Sequence, residues 1–350
     1  MAGGDHVKEA IITAPELFEE DTIPARMQDR EEQSRRIQHH LAPALTGDRA
    51  IHTWVYGPPG SGKTTVVRKA LNEFNEKTNT KTVWINCWCK RTLYEVLDEI
   101  IEKFQVLRAE EHRTGYRIEK LRQFLKGRPF VIVLDEAEQA KPGELSTILY
   151  NLEYILNAGI ICIANLPLSS LNLDQRVLSR LSPTLVDFQA YSTGVLMEIL
   201  RFRAETALRQ GSWTSKDIET IAAYANGDAR CAIKILKNAA LVAQQQGQSR
   251  ISTEGLLKQL EAAKQARVTG ILDRLTKDHR LLYSIIRQKG SMLSGDLWHE
   301  YLDQCEQLTR KPISSRTFAE YVNRLIRSKL VKSERARVRG NSRLLRVNNK

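Results

Sequence analysis

The sequence predicts an α/β domain with a parallel sheet, followed by an all-helical region and a C-terminal winged helix-turn-helix. Three observations carry this prediction: short apolar runs alternate with helical patterns from about 51 to 189, strand signals then stop, and the last 80 residues have the pattern of three helices and a hairpin. Strands alternating with helices are typical of a parallel sheet covered on both faces. We therefore predict domains at 49–190, 191–268 and 269–350, after an N-terminal arm and helix at 1–48.

Each element is predicted from its own residue pattern. A polar arm precedes a helix near 29–45. Apolar runs then predict five strands, at 51–56, 82–86, 130–135, 159–164 and 184–188. Helical periodicity predicts the all-helical region, with segments near 193–209, 215–226, 229–246 and 253–266. In the C-terminal region we predict three helices and then two strands, at 279–289, 294–308, 314–328, 330–333 and 343–347.

The composition and charge fit a globular protein with a nucleic-acid partner. Of the 350 residues, 42% are hydrophobic and 27% are charged, and the formal net charge is +12. Residues 271–350 hold 18 Lys or Arg against 8 Asp or Glu, so this region carries most of the excess. A solvated basic surface is the alternative interpretation. No membrane span or signal peptide is expected, and the scattered cysteines are expected to be ordinary thiols in a reducing cytosol.

A glycine-rich segment, here called the phosphate loop, follows the first predicted strand and precedes a helix. It fits the pattern G-x-x-x-x-G-K-[ST] and consists of Gly57, Pro58, Pro59, Gly60, Ser61, Gly62, Lys63 and Thr64, with Thr65 next in the chain. Glycines let successive N–H groups face phosphates at a helix N-terminus. The loop therefore predicts binding of ATP or ADP with Mg²⁺, in which Lys63 reaches the β and γ phosphates and Thr64 ligates the metal.

An acidic pair ends the third predicted strand. The unbroken apolar run 130–134 suits a strand buried on both faces, and Asp135 and Glu136 follow it. We predict that Asp135 holds Mg²⁺, usually through water, and that Glu136 orients or activates the attacking water. A solvated acidic turn is the alternative, and the phosphate loop roughly 70 residues upstream makes it the weaker one.

The predicted recognition helix and wing of the C-terminal region are basic or polar. The third helix presents four such residues at its N-terminal end, Ser314, Ser315, Arg316 and Thr317. That end of a recognition helix points at base edges and phosphates. The wing carries five arginines, Arg335, Arg337, Arg339, Arg343 and Arg346. These residues predict binding of duplex DNA.

Six motifs follow one another along the chain in a specific order. They are the phosphate loop, Asp135-Glu136, the run 163–165, the segment 173–181, the stretch 227–230 and the C-terminal winged helix. In this order they resemble the archaeal origin-recognition initiators, AAA+ proteins related to the eukaryotic origin recognition complex and its helicase-loading partner. The resemblance covers roughly 20–350 and puts the family's helical insertion near 91–116.

The resemblance implies a function. It is that of an ATP-dependent DNA replication initiator that binds double-stranded origin DNA, helps recruit or load the replicative helicase, and uses ATP as a conformational switch with slow hydrolysis. It also implies homologous initiator protomers as partners and a cytoplasmic, nucleoid-associated location.

The resemblance also implies roles for single residues. Asn165 would hold the attacking water as sensor 1, and Arg230 would reach the phosphates from the helical region as sensor 2. Arg180 matches the position of an arginine finger acting on ATP held by a neighbouring protomer. Arg176 is its competitor, and a structural arginine is the alternative. Arg30 belongs to the segment that packs against adenine.

Two other classes of protein remain open at this point. One is a P-loop signalling or transcription regulator whose winged helix contacts protein or promoter DNA. The other is a clamp-loader-like or transposition ATPase, which would usually lack an arginine-rich terminal wing.

Overall fold

The computed structural model describes residues 10–19, 22–24, 27–106, 113–335 and 343–348. The chain forms two compact units, Met1–Thr253 and Glu254–Lys350.

A five-stranded parallel sheet forms the centre of the first unit. Its strands are β1 (Thr53–Tyr56), β2 (Thr82–Asn86), β3 (Phe130–Asp135), β4 (Ala158–Ala164) and β5 (Thr184–Asp187). They lie in the order β2-β3-β4-β1-β5, and each neighbouring pair is parallel. β3 and β4 are buried along their whole length, as unbroken apolar runs in a parallel sheet should be. The predicted parallel sheet is confirmed.

Helices cover both faces of this sheet. They are α1 (Glu31–Leu41), α2 (Lys63–Asn75), α3 (Leu93–Lys103), α4 (Thr114–Leu125), α5 (Glu144–Tyr150) and α6 (Gln175–Leu181). Successive strand residues point to opposite faces, so Trp54 packs in one core cluster with α3 and Val55 in another with α2. Because β3, β4 and β1 are neighbouring parallel strands, their carboxyl ends meet at one edge of the sheet, beside the start of α2.

An all-helical region completes the first unit. It contains α7 (Thr193–Ala207), α8 (Ser215–Ala225) and α9 (Ala229–Gln245). Side-chain oxygens of Ser192, Thr214 and Asp228 cap their N-termini, so polar caps set where each helix starts. The next helix, α10, runs from Thr253 to Asp273, past its predicted end at 266. The predicted boundary at 268 falls inside this helix.

The described part of the N-terminal segment packs against the helical region, unlike the polar arm that we predicted. The main-chain N–H of Thr13 donates to Ala207, and that of Arg209 donates to Ile11, at 2.9 and 2.8 Å. Ile11 and Phe18 are buried. The apolar runs that contain them, 10–12 and 17–18, are too short to show a periodicity, which explains why the sequence pattern did not reveal this contact.

The second unit has the arrangement of a winged helix-turn-helix. Its elements after α10 are α11 (Lys277–Lys289), β6 (Ser291–Leu293), α12 (Ser294–Gln307), α13 (Ser315–Arg327), β7 (Val331–Arg335) and β8 (Arg343–Val347). The strands form an antiparallel sheet in the order β6-β8-β7. Leu282, Tyr301, Phe318 and Leu345 bring the three helices and the wing into one core. β6 was not predicted, because three residues give too short a pattern.

The five cysteines are free, and Cys87, Cys162 and Cys305 are buried. Within the described ranges, no group of His, Cys, Asp and Glu side chains could hold a metal by itself, and no helix is long and apolar enough to cross a membrane.

Candidate nucleotide site and nucleic-acid interface

The phosphate loop curls because glycine alone fits its backbone. Gly57, Gly60 and Gly62 all have positive φ angles, of 151°, 72° and 89°. A Cβ atom at Gly57 would lie 2.0 Å from the carbonyl oxygen of Phe188, and one at Gly62 would lie 2.5 Å from the hydroxyl oxygen of Tyr191. Side chains are therefore excluded both by conformation and by space. The loop ends at the N-terminus of α2, where main-chain N–H groups and the helix dipole favour an anion.

Lys63, the first residue of α2, points its ammonium group back over the loop. Its Nζ donates to the carbonyl oxygens of Gly57 and Pro58, at 2.7 and 2.9 Å, and to Oδ1 of Asn165, at 3.0 Å. Burial lowers the pKa of Lys63 to about 8, although nearby carboxylates oppose the shift. Hydrogen bonds to three oxygen atoms thus hold the ammonium group at a place where phosphate oxygens would compete for it.

This pKa predicts that nucleotide affinity falls at high pH. Lys63 is charged below its pKa and neutral above it, and bound phosphates would favour the charged form. Above about pH 8, binding should therefore take up a proton, and the Kd should rise towards a limit of roughly tenfold per pH unit. Calorimetry in two buffers of different ionisation enthalpy, between pH 7 and 9.5, measures this uptake. Lys63→Arg, which stays charged, is the control, and a flat Kd for the wild type would contradict the prediction.

The predicted metal ligands face each other. Oγ1 of Thr64 lies 3.5 Å from Oδ1 of Asp135, which also accepts the main-chain N–H of Glu136, at 3.0 Å. Burial raises the pKa of Asp135. A hydroxyl and a carboxylate are the hard oxygen ligands that suit Mg²⁺ bound together with phosphates, so the residues present fit this ion.

A hydrogen-bonded group of side chains lies at the carboxyl ends of β3 and β4. Nδ2 of Asn165 donates to Oε2 of Glu136 and to Oε1 of Glu138, each at 2.8 Å, and the main-chain N–H of Asn165 also donates to Oε1 of Glu138, at 3.0 Å. Glu136 has a positive φ of 54°, an uncommon conformation that is often found at functional sites. Burial, and then the charges of Glu138 and Asp135, raise its pKa. The structure thus brings the predicted Glu136 and Asn165 together.

Glu138 is a site residue that our sequence analysis missed. It lies in a short 3-10 turn, Ala137–Gln139, directly after the acidic pair. The only signal was a third acid in the run Asp-Glu-Ala-Glu, and spacing alone did not connect that acid to Asn165.

A cavity of about 360 Å³ opens beside the phosphate loop. One side is formed by the loop, Glu136 and Asn165. The other side comes from the N-terminal segment, α7 and α9, and consists of Phe18, Glu19, Thr22, Pro24, Met27, Gln28, Ile199, Phe202, Arg203, Arg230, Ile233, Lys234 and Lys237. Of these, only Arg230 was predicted. The volume and the mixture of apolar wall and basic groups suit a nucleotide.

Arg30 lies behind the phosphate loop instead of on the cavity wall. It is 2% exposed. Its Nε donates to the carbonyl oxygen of Ser61, at 2.9 Å, its Nη2 donates to that of Gln189, at 2.6 Å, and its guanidinium stacks 3.9 Å from the ring centroid of Tyr191. These contacts brace the phosphate loop from behind.

The loop also touches the start of α9. The main-chain N–H of Ala229 donates to the carbonyl oxygen of Gly60, at 3.1 Å, and a Cβ atom at Gly60 would lie 1.9 Å from Oδ1 of Asp228. Arg230 follows immediately and lines the cavity. The phosphate loop is thus in direct contact with the helix that carries Arg230.

The two candidate finger arginines of α6 differ in their partners. Arg176 is 91% exposed and makes a two-pronged ion pair with Asp174, which caps the same helix. Arg180 is 48% exposed, with its Nε 3.3 Å from Oε2 of Glu153 and its guanidinium 4.0 Å from the ring centroid of Tyr154. Among the described residues, none bonds to the terminal nitrogens of Arg180.

The predicted DNA-contact residues of α13 lie at its start. Ser314 caps the helix by accepting the main-chain N–H of Thr317, at 3.2 Å, and the two hydroxyl oxygens are 2.8 Å apart. Ser315 and Arg316 are exposed, Arg316 to 92%. The cap orders the end of the helix and leaves Ser315 and Arg316 as its accessible polar residues.

The structure describes the wing only in part. Exposed Arg343, on β8, donates through Nη1 to Oδ1 of Asn323 on α13, at 2.9 Å, which ties the wing to the recognition helix. In the backbone register of the antiparallel strands, Arg335 of β7 lies opposite Arg343 of β8. Arg337 and Arg339 lie outside the described residues.

Comparisons with known proteins agree with this layout. Residues 48–165 match the family described as AAA domain, and residues 197–259 match the Cdc6 AAA+ ATPase-type lid domain. ORC1-type DNA replication protein 9 of Halobacterium salinarum is 30% identical, with 89% of this chain and 88% of that protein covered. The ORC1-type DNA replication protein of Pyrococcus horikoshii is 29% identical, with 92% and 84% covered. The Aeropyrum pernix ORC1 protein, solved in complex with DNA, has a TM-score of 0.68 at 25% identity, with 97% and 94% covered.

Proposed function

The chain belongs to the ORC1-type DNA replication proteins, and from this membership we propose that it is an ATP-dependent replication initiator that binds duplex origin DNA and helps recruit or load the replicative helicase. The family predicted from the order of the motifs is thereby confirmed. The observation that carries the proposal is the presence of a nucleotide-sized cavity beside the phosphate loop and of a basic winged helix in one chain.

ATP hydrolysis is the reaction that the nucleotide site supports. Bound Mg²⁺ would neutralise phosphate charge, and Thr64 and Asp135 are the residues that would hold it. Lys63, in its charged form, would contact the β and γ phosphates. Glu136, whose pKa is raised, accepts a proton from the attacking water, which Asn165 positions. Arg180 of a second protomer would stabilise charge on the transferred phosphate.

The contacts between loop and helical region support a switch. The cavity is lined by the phosphate loop on one side and by the N-terminal segment, α7 and α9 on the other, so a bound nucleotide would contact both the loop and the helical region. Nucleotide contacts made only in the closed state would shift the equilibrium by a few kcal/mol, enough to change occupancy strongly. Slow hydrolysis would then reset the protein. The protein would act in the cytoplasm, associated with the nucleoid and with homologous protomers.

Duplex DNA is the partner that the winged helix fits best. Its recognition helix starts with exposed Ser315 and Arg316, and exposed Arg343 on the wing is bonded to the same helix. A helix N-terminus in the major groove with a basic wing on phosphates or in the minor groove is the usual docking of this motif.

We expect Arg316→Ala and Arg343→Ala to weaken DNA binding in different ways. Loss of a base contact by Arg316 should cost roughly 1–3 kcal/mol and relax the preference at one base pair. Loss of a phosphate contact by Arg343 should weaken specific and non-specific binding alike. It should also reduce the magnitude of the slope of log K against log salt concentration by about 1. Fluorescence anisotropy of the full chain across a salt series, on its own upstream DNA and on a shuffled duplex, separates the two.

Lys258→Ala is the control, since this lysine is exposed and lies on α10, before the winged helix in the chain. Equal losses of DNA affinity in Arg316→Ala, Arg343→Ala and Lys258→Ala would indicate a general effect of removing positive charge. No binding by the wild type at low salt would remove the DNA assignment and favour a signalling or transcription regulator whose winged helix contacts protein.

A further inference from the structure

We propose that Glu138 is the positioning residue that orients the amide of Asn165, so that the amide oxygen faces the attacking water and not a phosphate oxygen. The proposal rests on the proposed function, because it concerns ATP hydrolysis at this site.

The contacts tie Asn165 to Glu138 twice. Oε1 of Glu138 accepts both the main-chain N–H and the Nδ2 of Asn165, at 3.0 and 2.8 Å. The other oxygen, Oε2, is buried and bonds to no described residue. An unpaired buried carboxylate oxygen is costly, which makes this geometry unlike that of an ordinary surface turn. The carboxylate thus commits its hydrogen bonds to a single residue at the end of β4.

The charges of the neighbours decide which way the amide points. The carboxylate oxygens of Glu136 and Glu138 accept hydrogen bonds from Asn165, and the ammonium of Lys63 can only donate them. The NH₂ group of Asn165 must therefore face the two carboxylates, and Oδ1 must face Lys63, as observed. Both amide hydrogens are used by this arrangement. A rotation by 180° would set an oxygen against two carboxylates and an NH₂ group against an ammonium.

This orientation determines what Asn165 can do during hydrolysis. Phosphates entering the loop draw the ammonium of Lys63 away from Oδ1, which leaves that oxygen as the open atom of the amide. An open acceptor can take a hydrogen bond from the attacking water, but it cannot donate one to a phosphate oxygen. Glu136 lies on the other hydrogen-bonding side of the same amide, 2.8 Å from Nδ2, so acceptor and base are held together. Without Glu138, one side of the amide loses its anchor.

Substitution of Glu138 should therefore slow hydrolysis and spare binding. For Glu138→Ala, we expect single-turnover hydrolysis to fall about 10- to 100-fold, because misorientation of a positioning group costs up to about 10²-fold. The Kd for ATP should change by less than about threefold. Glu138→Gln keeps an acceptor oxygen and should recover much of the rate. Gln139→Ala, on the same turn, is the control for a disturbed fold.

A double-mutant cycle with Asn165→Ala tests whether Glu138 acts through Asn165. If it does, Glu138→Ala causes no further loss of rate in the Asn165→Ala background. The proposal would be overturned if the rate of the double variant fell by the product of the two single losses. It would also be overturned if, in Glu138→Ala, the Kd for ATP rose by the same factor as the rate fell. Unchanged hydrolysis in Glu138→Ala would overturn it too.

Failure of this proposal can be told from failure of the proposed function. A wild-type protein that hydrolyses ATP no faster than Glu136→Gln would overturn the assignment of ATPase activity, and the orientation of Asn165 with it. A wild-type rate well above that of Glu136→Gln, combined with multiplied losses in the cycle, would overturn only the role of Glu138.

Discussion

Lys63→Ala should abolish tight ATP binding, whereas Glu136→Gln should leave binding intact and stop turnover. Lys63 places its ammonium group at the bend of the phosphate loop, and its contacts to phosphate would replace those to Gly57, Pro58 and Asn165. Each hydrogen bond to a charged group contributes about 1.5–3 kcal/mol. Loss of two such bonds weakens binding by roughly 10²- to 10⁴-fold.

Glu136→Gln removes the base and keeps the shape of the site. The amide can still pair with Asn165, whose Nδ2 donates to Glu136 at 2.8 Å in the wild type. A general base contributes about 10²- to 10⁴-fold to a rate, so turnover should fall by that factor. Equilibrium binding of labelled ATP and single-turnover hydrolysis, measured on both variants, separate the two roles. Lys77→Ala, in the exposed turn that follows α2, serves as the control. Equal loss of affinity in both variants would refute the assignments.

The features that were predictable from sequence are those determined by neighbours in the chain. β3 is an unbroken apolar run ending in two acids, and the structure buries all six of its residues. The phosphate loop depends on glycines at fixed spacing, and Gly57 and Gly62 do have positive φ angles and no room for a side chain. In both cases the residue types alone restrict the backbone to very few conformations.

The features that were not predictable depend on residues far apart in the chain. Phe18 and Phe202 reach the cavity from the N-terminal segment and from α7, and neither carries a local signal that distinguishes it from an ordinary core residue. Glu138 acquires its role only because β3 and β4 are neighbours, which brings Asn165 within hydrogen-bonding distance. Arg30 was associated with the nucleotide, but its contacts show that it braces Ser61 from behind the loop.

Arg180→Ala should keep the nucleotide affinity of the isolated protein and lose hydrolysis where protomers meet. Arg180 lies on α6, and its terminal nitrogens have no partner among the described residues. Glu153, which is 9% exposed and also pairs with Arg49 at 2.9 Å, holds its Nε, while the ring of Tyr154 supports one face. A guanidinium oriented in this way loses little entropy when it meets a phosphate.

Arg176→Ala is the matched control, one helical turn away. Its guanidinium is engaged by Asp174 on its own helix, so its removal should alter hydrolysis much less. An arginine finger supplied in trans contributes about 10³- to 10⁵-fold to the rate. The rate of hydrolysis per protomer should accordingly rise with protein concentration in the wild type, and this rise should be absent in Arg180→Ala. If Arg176→Ala loses hydrolysis and Arg180→Ala hydrolyses ATP as the wild type does, the arginine finger is Arg176.

A mixing experiment then decides whether Arg180 acts on a neighbouring protomer or within its own chain. Arg180→Ala retains an intact hydrolytic site but offers no finger, and Glu136→Gln offers a finger but has no base. Mixed together, the two inactive variants should recover hydrolysis, because the Arg180 of one protomer can complete the site of the other. Recovery should grow with total protein concentration and vanish when both substitutions are in the same chain. No recovery, at concentrations where the wild type is active, would mean that Arg180 serves its own chain through Glu153 as a structural ion pair.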